Sequence, residues 1–339
     1  VIKMFEREKC AGCETYDCLT RCQYMDIDRD TAKAEMEKMI KGEDSFVLHE
    51  CATCFACDEY CKRDAHPFDL IVEMQEEKGI QLVDQGMIDY LADMWLPKGE
   101  LMVKEVKEPV MSLCLFSRDH ASLFHGKLFE DLSFLKGRHF FCLLGFHHMA
   151  RNSIVSEHAQ TLIDNVAKHG VKELICFHDE CYGFFASYAP RYGLKVPFKP
   201  IHLFEYLYNY LKEHKSEIKE LNMKIAYQRP CSSRFTPEKE HFLDDIFDLI
   251  GVERVKREYD RENCLCCGGG IRLLGRDDLA DEVQKKNVGD MVESGAEACI
   301  FNCPMCYDTL KEKVEGEGLK AIMISDLCRL AVGETPDKE

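Results

Sequence analysis

The stretch "CATCFACDEYC" at residues 51–61 sets four cysteines in the spacing C-x2-C-x2-C-x3-C. Thiolates so closely spaced, with a fourth ligand drawn from elsewhere, are how a chain wraps a cubane [4Fe-4S] cluster, so this segment is expected to fold around metal. A second run, "CAGCETYDCLTRC" at 10–22, reads C-x2-C-x4-C-x3-C, the same device with two extra residues before the third cysteine. The whole chain carries 20 cysteines in 339 residues, several times what packing alone would call for. Disulfides seldom persist in a reducing compartment, so the clusters point to metal or redox chemistry.

In two-cluster ferredoxins the last cysteine of each run ligates the other cluster. That logic groups Cys10, Cys13, Cys18 and Cys61 around cubane I, and Cys51, Cys54, Cys57 and Cys22 around cubane II. A pair of zinc knuckles, which also use C-x2-C, is the alternative. The proline that often follows the fourth cysteine is replaced by Gln23 and Lys62, although His66-Pro67 comes soon after. Between the runs, "DRDTAKAEMEKMIKGEDSF" is rich in helix formers, with Ala32, Met36, Met39 and Ile40 at helical spacing. An α-helical two-cluster domain over residues 1–75 is expected, not the β-hairpin type. Residues 76–108 turn polar and charged, with a helical patch "MIDYLADMWL", and read as a connector that packs on its neighbours.

Further along, Cys231 is followed at long, equal intervals by Cys266-Cys267-Gly268 and by Cys303-x2-Cys306, in the pattern C-x34-CCG-x34-C-x2-C. Loops of that length hold whole secondary elements, so these thiols converge only through a fold. Two adjacent thiolates cannot both serve one corner of a compact cube; they suit an opened or fused cluster with bridging cysteine sulfur. The glycines that follow let backbone approach and donate N–H groups. A phosphate-binding loop is the other reading of "GGG", but GxGxxG and a Walker lysine are both missing.

This pattern resembles the cysteine-rich CCG domain of heterodisulfide reductase subunits of the B and D types. "RPCSSR" stands at its start and "FNCPMCYDTL" at its end. The resemblance extends over almost the whole chain, including the fused ferredoxin segment of the D type. It implies that Cys231, Cys266, Cys267, Cys303 and Cys306 bind a non-cubane [4Fe-4S] cluster.

A degenerate repeat precedes this unit. "VKELICFHDECY" at 171–182 aligns with "AEACIFNCPMCY" at 296–307, setting Cys181 against Cys306 and His178 against Cys303. "KVPFKPIHLFEYL" matches "LKAIMISDLCRLAV", each a strand followed by a helix, and "FFCLLGFHHMARN" falls where "CLCCGGGIRLL" stands, with Gly145 opposite Gly268 and Leu143-Leu144 opposite the paired cysteines. The first copy retains Cys114, Cys142, Cys176, Cys181, His147, His148 and His178. Zinc held by Cys142, Cys181, His178 and Cys114 is one reading, since zinc accepts mixed cysteine and histidine ligands; a metal-free remnant is the other. Cys264 reads as a buried neighbour of the pair, and Cys299 and Cys328 as core residues.

The expected fold is α/β: the ferredoxin domain (1–75), the connector (76–108), a degenerate CCG-like domain (109–215) and an intact CCG domain (220–335). "KIAYQ" and "ACIFN", alternating with stretches such as "LADEVQKKNVGDMVESG", suit parallel sheets with crossover helices. With one copy reduced, the resemblance implies an electron-transfer oxidoreductase subunit with two cubanes and one non-cubane cluster, as in anaerobic glycerol-3-phosphate dehydrogenase C subunits, sulfite-reduction complexes and large benzoyl-CoA reductase complexes. A thiol-disulfide reductase acting at the non-cubane cluster and a redox-inert metal scaffold are the competing classes. No flavin or nicotinamide fingerprint is present, so electrons are expected from a flavin-containing or other redox component of a larger complex. Acidic residues outnumber basic ones by 61 to 44 with no long basic run, which argues against nucleic acid. No export signal and no bilayer-length apolar stretch is read, so a cytoplasmic protein is expected, associated with membranes only through partners.

Overall fold

The computed structural model describes residues 4–117 and 120–335, so the first three residues of the expected ferredoxin segment, two of the expected degenerate domain and the last four of the chain lie outside the described residues. Up to residue 109 every regular element among the described residues is helical, as the composition between the cysteine runs requires. Asp28 caps the Arg29–Ile40 helix by accepting from Asp30 N and Thr31 N, each at 2.9 Å. That helix buries Ala32, Met36 and Met39, with Ile40 half-buried, into a core shared with Leu48, Phe68 and Ile71. The remaining helices here are short and bend around the cysteines, except Pro67–Glu77, which Pro67 opens. The connector contains the expected helix, Gln85–Trp95, whose Ile88 and Leu91 are buried. Its Trp95 packs edge-on against Phe141 and Phe146.

Two four-stranded sheets follow. β1 (Val110–Cys114), β2 (Ser133–Lys136), β3 (Glu173–Cys176) and β4 (Lys199–His202) form the first, in the order β2-β1-β3-β4. β5 (Met223–Gln228), β6 (Val252–Arg254), β7 (Ala298–Phe301) and β8 (Lys320–Met323) form the second, in the order β6-β5-β7-β8. All pairings are parallel, which demands crossovers; the Asn152–Ala167, Glu240–Ile250, Asp277–Glu293 and Pro304–Gly316 helices supply several of them. β1 and β7 are buried along their whole length, and accordingly read as apolar runs without alternation.

The matching strand orders bear out an α/β fold with an internal repeat, and correct its alignment in one place. β3 and β7 occupy equivalent positions, with His178 and Cys303 each just before the helix that follows. The same spacing carried back along the chain sets Leu143 opposite Gly268, and Cys142 opposite Cys267. Leu143 (φ 64°) and Gly268 (φ 87°) are both left-handed residues leading into a helix. Matching glycine to glycine sets Leu143 and Leu144 two residues off, because the first copy fills its left-handed position with leucine.

The two copies do not form separate globules. One core runs from Met111, Ile175, Phe204 and Leu207 of the first to Tyr227, Phe247, Ile300 and Leu327 of the second, with the Leu203–Glu213 helix lying against the Glu240–Ile250 helix. Among the described residues no helix is long and apolar enough to cross a membrane.

Candidate metal centre

The cysteines of the helical segment fall into two groups. Cys10 is pushed up to about 11 by burial, with Cys13 and Cys61 adding to the effect. Cys18 is raised by burial and then by Cys61, Cys10 and Cys13. A surface recess lined by Cys13, Cys18 and Cys61 lies at this group. Cys51 and Cys54 are each pushed up to about 12, foremost by burial, and each has Cys22 among its neighbours. A small cavity of about 20 Å³ is lined by Cys22, Cys51, Cys54 and Cys57, with Cys18 on its wall. The fourth cysteine of each run thus stands with the other run. Thiols held neutral in this way must lose protons to bind metal, so loading would be pH-dependent.

The five later cysteines meet at one place. Cys231 opens a short helical turn after Pro230, Cys266 and Cys267 lie in the loop before the Gly269–Leu273 helix, and Cys303 and Cys306 bracket the start of the Pro304–Gly316 helix. Their thiols influence one another's titration in the order Cys231, Cys266, Cys267, Cys306, Cys303. Bonds from Cys266 and Cys306 hold Cys267 down to about 5 against burial, and a bond from Cys306, with His178 beside it, holds Cys303 down to about 6. Gly268 is required where it stands: a Cβ there would come within 2.7 Å of Gln284 Nε2, which itself donates to Cys267 O at 3.0 Å. Gly268 N donates to Cys266 Sγ at 3.3 Å.

All five line one cavity of about 220 Å³ whose opposite wall comes from the connector and the first copy, including Trp95, Phe116, Phe141, Gly145, His148 and Glu180.

The second and third groups adjoin. Ala52 lines both cavities. Tyr24 lines the second, and its hydroxyl accepts from Cys266 N at 2.9 Å. The two halves of the chain are clamped by buried charge. Arg229 donates to Glu59 through Nη1 and Nη2 at 2.7 and 2.8 Å and pairs with Glu240 through Nε. Arg234 donates to Glu59 Oε2 at 2.5 Å, and to Cys264 O and Sγ at 2.8 and 3.2 Å. Cys264 is therefore buried, as expected, and serves as an acceptor in this clamp. Cys299 and Cys328 are fully buried core residues. Tyr24, Thr53, Arg229 and Arg234 do not stand out in the sequence. The one signal is "RPCSSR", which flanks Cys231 with two arginines in an acidic chain.

In the first copy, Cys181 bonds to both Cys114 and Cys142, its sulfur 4.0 Å from that of Cys114. Burial works to raise Cys114, but the Cys181 bond and the Phe116 backbone outweigh it and lower its pKa. His178 makes its own sulfur contact with Cys303 of the second copy and lies 3.8 Å from Glu180. The structure thus gathers three of the four residues read as a zinc set and turns the fourth toward the intact site. Cys176 is buried behind them on β3. His147 is buried against Tyr188, its pKa pushed down to about 3 by burial.

Residues 225–311, which contain all five later cysteines, match the cysteine-rich domain CCG. The D subunit of dihydromethanophenazine:CoB–CoM heterodisulfide reductase from Methanosarcina acetivorans is 23% identical over 319 residues, covering 83% of this chain and 78% of that protein. Over most of its length the chain is thus similar to D subunits of heterodisulfide reductase, and residues 225–311 carry the cysteine-rich CCG pattern. The B subunit of fumarate reductase (CoM/CoB) from Methanothermobacter marburgensis is 27% identical over 170 residues, or 48% of this chain and 32% of that one. The crystal structure of a hypothetical protein from Helicobacter pylori superposes with a TM-score of 0.59 at 11% identity. It covers 91% of this chain, which spans only 64% of that one, and shows the shared fold alone.

Proposed function

We propose that the chain is the electron-relaying iron–sulfur subunit of a larger reductase. In this reading Cys10, Cys13, Cys18 and Cys61 hold one cubane [4Fe-4S] cluster, Cys22, Cys51, Cys54 and Cys57 a second, and Cys231, Cys266, Cys267, Cys303 and Cys306 a non-cubane cluster. Such clusters supply one-electron chemistry. The donor set fits them: the sulfurs stand in three groups, the two inner cavities are mostly apolar, and Gly268 N already points at a sulfur. The observation that carries the reading is the sharing of walls. Cys18 belongs to the first group and lines the second cavity, while Ala52 lines the second and the third. The protein's part is to hold the three groups in a row, to line the inner two with mostly apolar walls, and to fix their spacing through the Glu59 clamp. Electrons would come from a flavin-containing or other redox partner, in the cytoplasm or at a membrane reached through that partner.

The aromatic-walled cavity beside the five cysteines favours one second reading, in which a small disulfide is reduced at the third group. Anaerobically purified protein should contain about twelve irons per chain, with zinc near or below one, and should not oxidise thiols or reduce disulfides on its own. Turnover of a disulfide with reduced viologen would favour the second reading. A colourless protein with about two to three zinc ions would remove both.

A further inference from the structure

We propose that His148, contributed by the degenerate copy, is a positioning residue that hydrogen-bonds Cys231 and raises the redox potential of the cluster Cys231 helps to hold. The inference rests on the cluster assignment proposed above. His148 Nε2 lies 3.9 Å from Cys231 Sγ, and its Nδ1 lies 3.0 Å from Thr53 Oγ1. Thr53 in turn donates its backbone N–H to Cys51 Sγ at 3.3 Å. A polar path therefore runs from a cysteine of the second group, through a threonine and an imidazole, to a cysteine of the third.

The path fixes the tautomer. Cys231 in ligand form is a thiolate and can only accept, so Nε2 carries the proton and Nδ1 accepts from the Thr53 hydroxyl. The ring is held in place. Phe55 packs on it with centroids 4.7 Å apart, and a Cβ built on Gly270 would already touch Nδ1 at 3.7 Å. Thr53 is fully buried in a left-handed conformation (φ 52°), so its hydroxyl has little freedom to leave the imidazole.

An N–H donated to a ligand sulfur stabilises the charge that arrives on reduction. Reduction adds one electron and breaks no bond, and both protons of the path stay on Nε2 and Oγ1. His148 thus gives the first copy a task although it keeps only Cys142 of its own cysteine pair.

Three variants of the full chain test this, by redox titration followed with low-temperature EPR and with iron counted in each preparation. His148→Leu should lower the midpoint of the non-cubane signal by about tenfold in the reduction equilibrium, about 59 mV for one electron, and leave both cubane midpoints unchanged. Thr53→Val keeps the backbone N–H to Cys51 and should shift the same midpoint downward by less. His148→Gln, which retains a donor, should recover part of the loss. If His148→Leu fails to load its cluster, the sign of the Thr53→Val shift decides. An unchanged midpoint in Thr53→Val and His148→Leu, or equal shifts in His148→Leu and His148→Gln, would overturn the inference. A wild-type protein with about eight irons and no non-cubane signal would instead remove the cluster assignment, and this inference with it.

Discussion

Cys267→Ser is expected to abolish the non-cubane signal and to lower the iron content from about twelve to about eight per chain, with both cubane spectra intact. Cys267 is the middle of the five-sulfur chain, receiving bonds from Cys266 on one side and Cys306 on the other. Its thiol, like that of Cys303, is held below the usual cysteine range by neighbouring sulfurs, so both are prepared to bind metal at neutral pH. A serine hydroxyl stays protonated there and cannot bridge. Cys264→Ser is the matched control. That side chain accepts from Arg234 Nη2, and a serine oxygen can accept as well, so the iron count and the signal should survive. Equal loss in the two variants, measured by EPR of anaerobic samples oxidised stepwise, would contradict the five-cysteine assignment.

Arg229→Met should destabilise the folded chain by about 3–5 kcal/mol, because it leaves Glu59 and Glu240 buried without their shared partner. The Arg229 side chain is 1% exposed, so solvent screens the cluster little. The loss should be largest at the joint between the helical segment and the second sheet, where Glu59 meets Arg229 and Arg234. The double variant Arg229→Met, Glu240→Leu leaves Glu59 paired with Arg234 and should recover much of the stability, since apolar groups of similar volume can replace a buried ion pair. Chemical denaturation read by circular dichroism gives the comparison. A cost below about 1 kcal/mol would mean that the clamp is solvated and holds nothing.

These two residues mark where the sequence is legible and where it is not. Cysteine spacing is local information: C-x2-C and the adjacent pair set which sulfurs can share a site, and the repeat follows from two strand-then-helix segments of similar composition. Helices such as Arg29–Ile40 are visible because their apolar positions recur at helical spacing. Arg229, Tyr24 and Thr53 are not visible, since each acts on a residue far away in the chain and has ordinary composition around it. The alignment of Leu143 misleads for a related reason. Glycine is the usual left-handed residue, and the first copy uses leucine there. His148 and His178 read only as remnants, because nothing in the first copy alone says that both histidines reach sulfurs of the second. Nor do the expected domain boundaries suggest that one core spans both copies.

In the proposed arrangement the fourth cysteine of each run belongs to the other run's group, and this brings the second group against the third. Cys22→Ala tests it most directly. Cys22 lines the cavity of Cys51, Cys54 and Cys57, whereas Cys61 lies with Cys13 and Cys18. EPR of the dithionite-reduced variant should show loss or conversion to a three-iron form of one cubane, with the cubane of Cys10, Cys13, Cys18 and Cys61 unaltered, and the complementary loss should appear in Cys61→Ala. If Cys22→Ala and Cys13→Ala damage the same cluster while Cys61→Ala damages the other, each run closes on its own cysteines and the row of three groups does not exist as described.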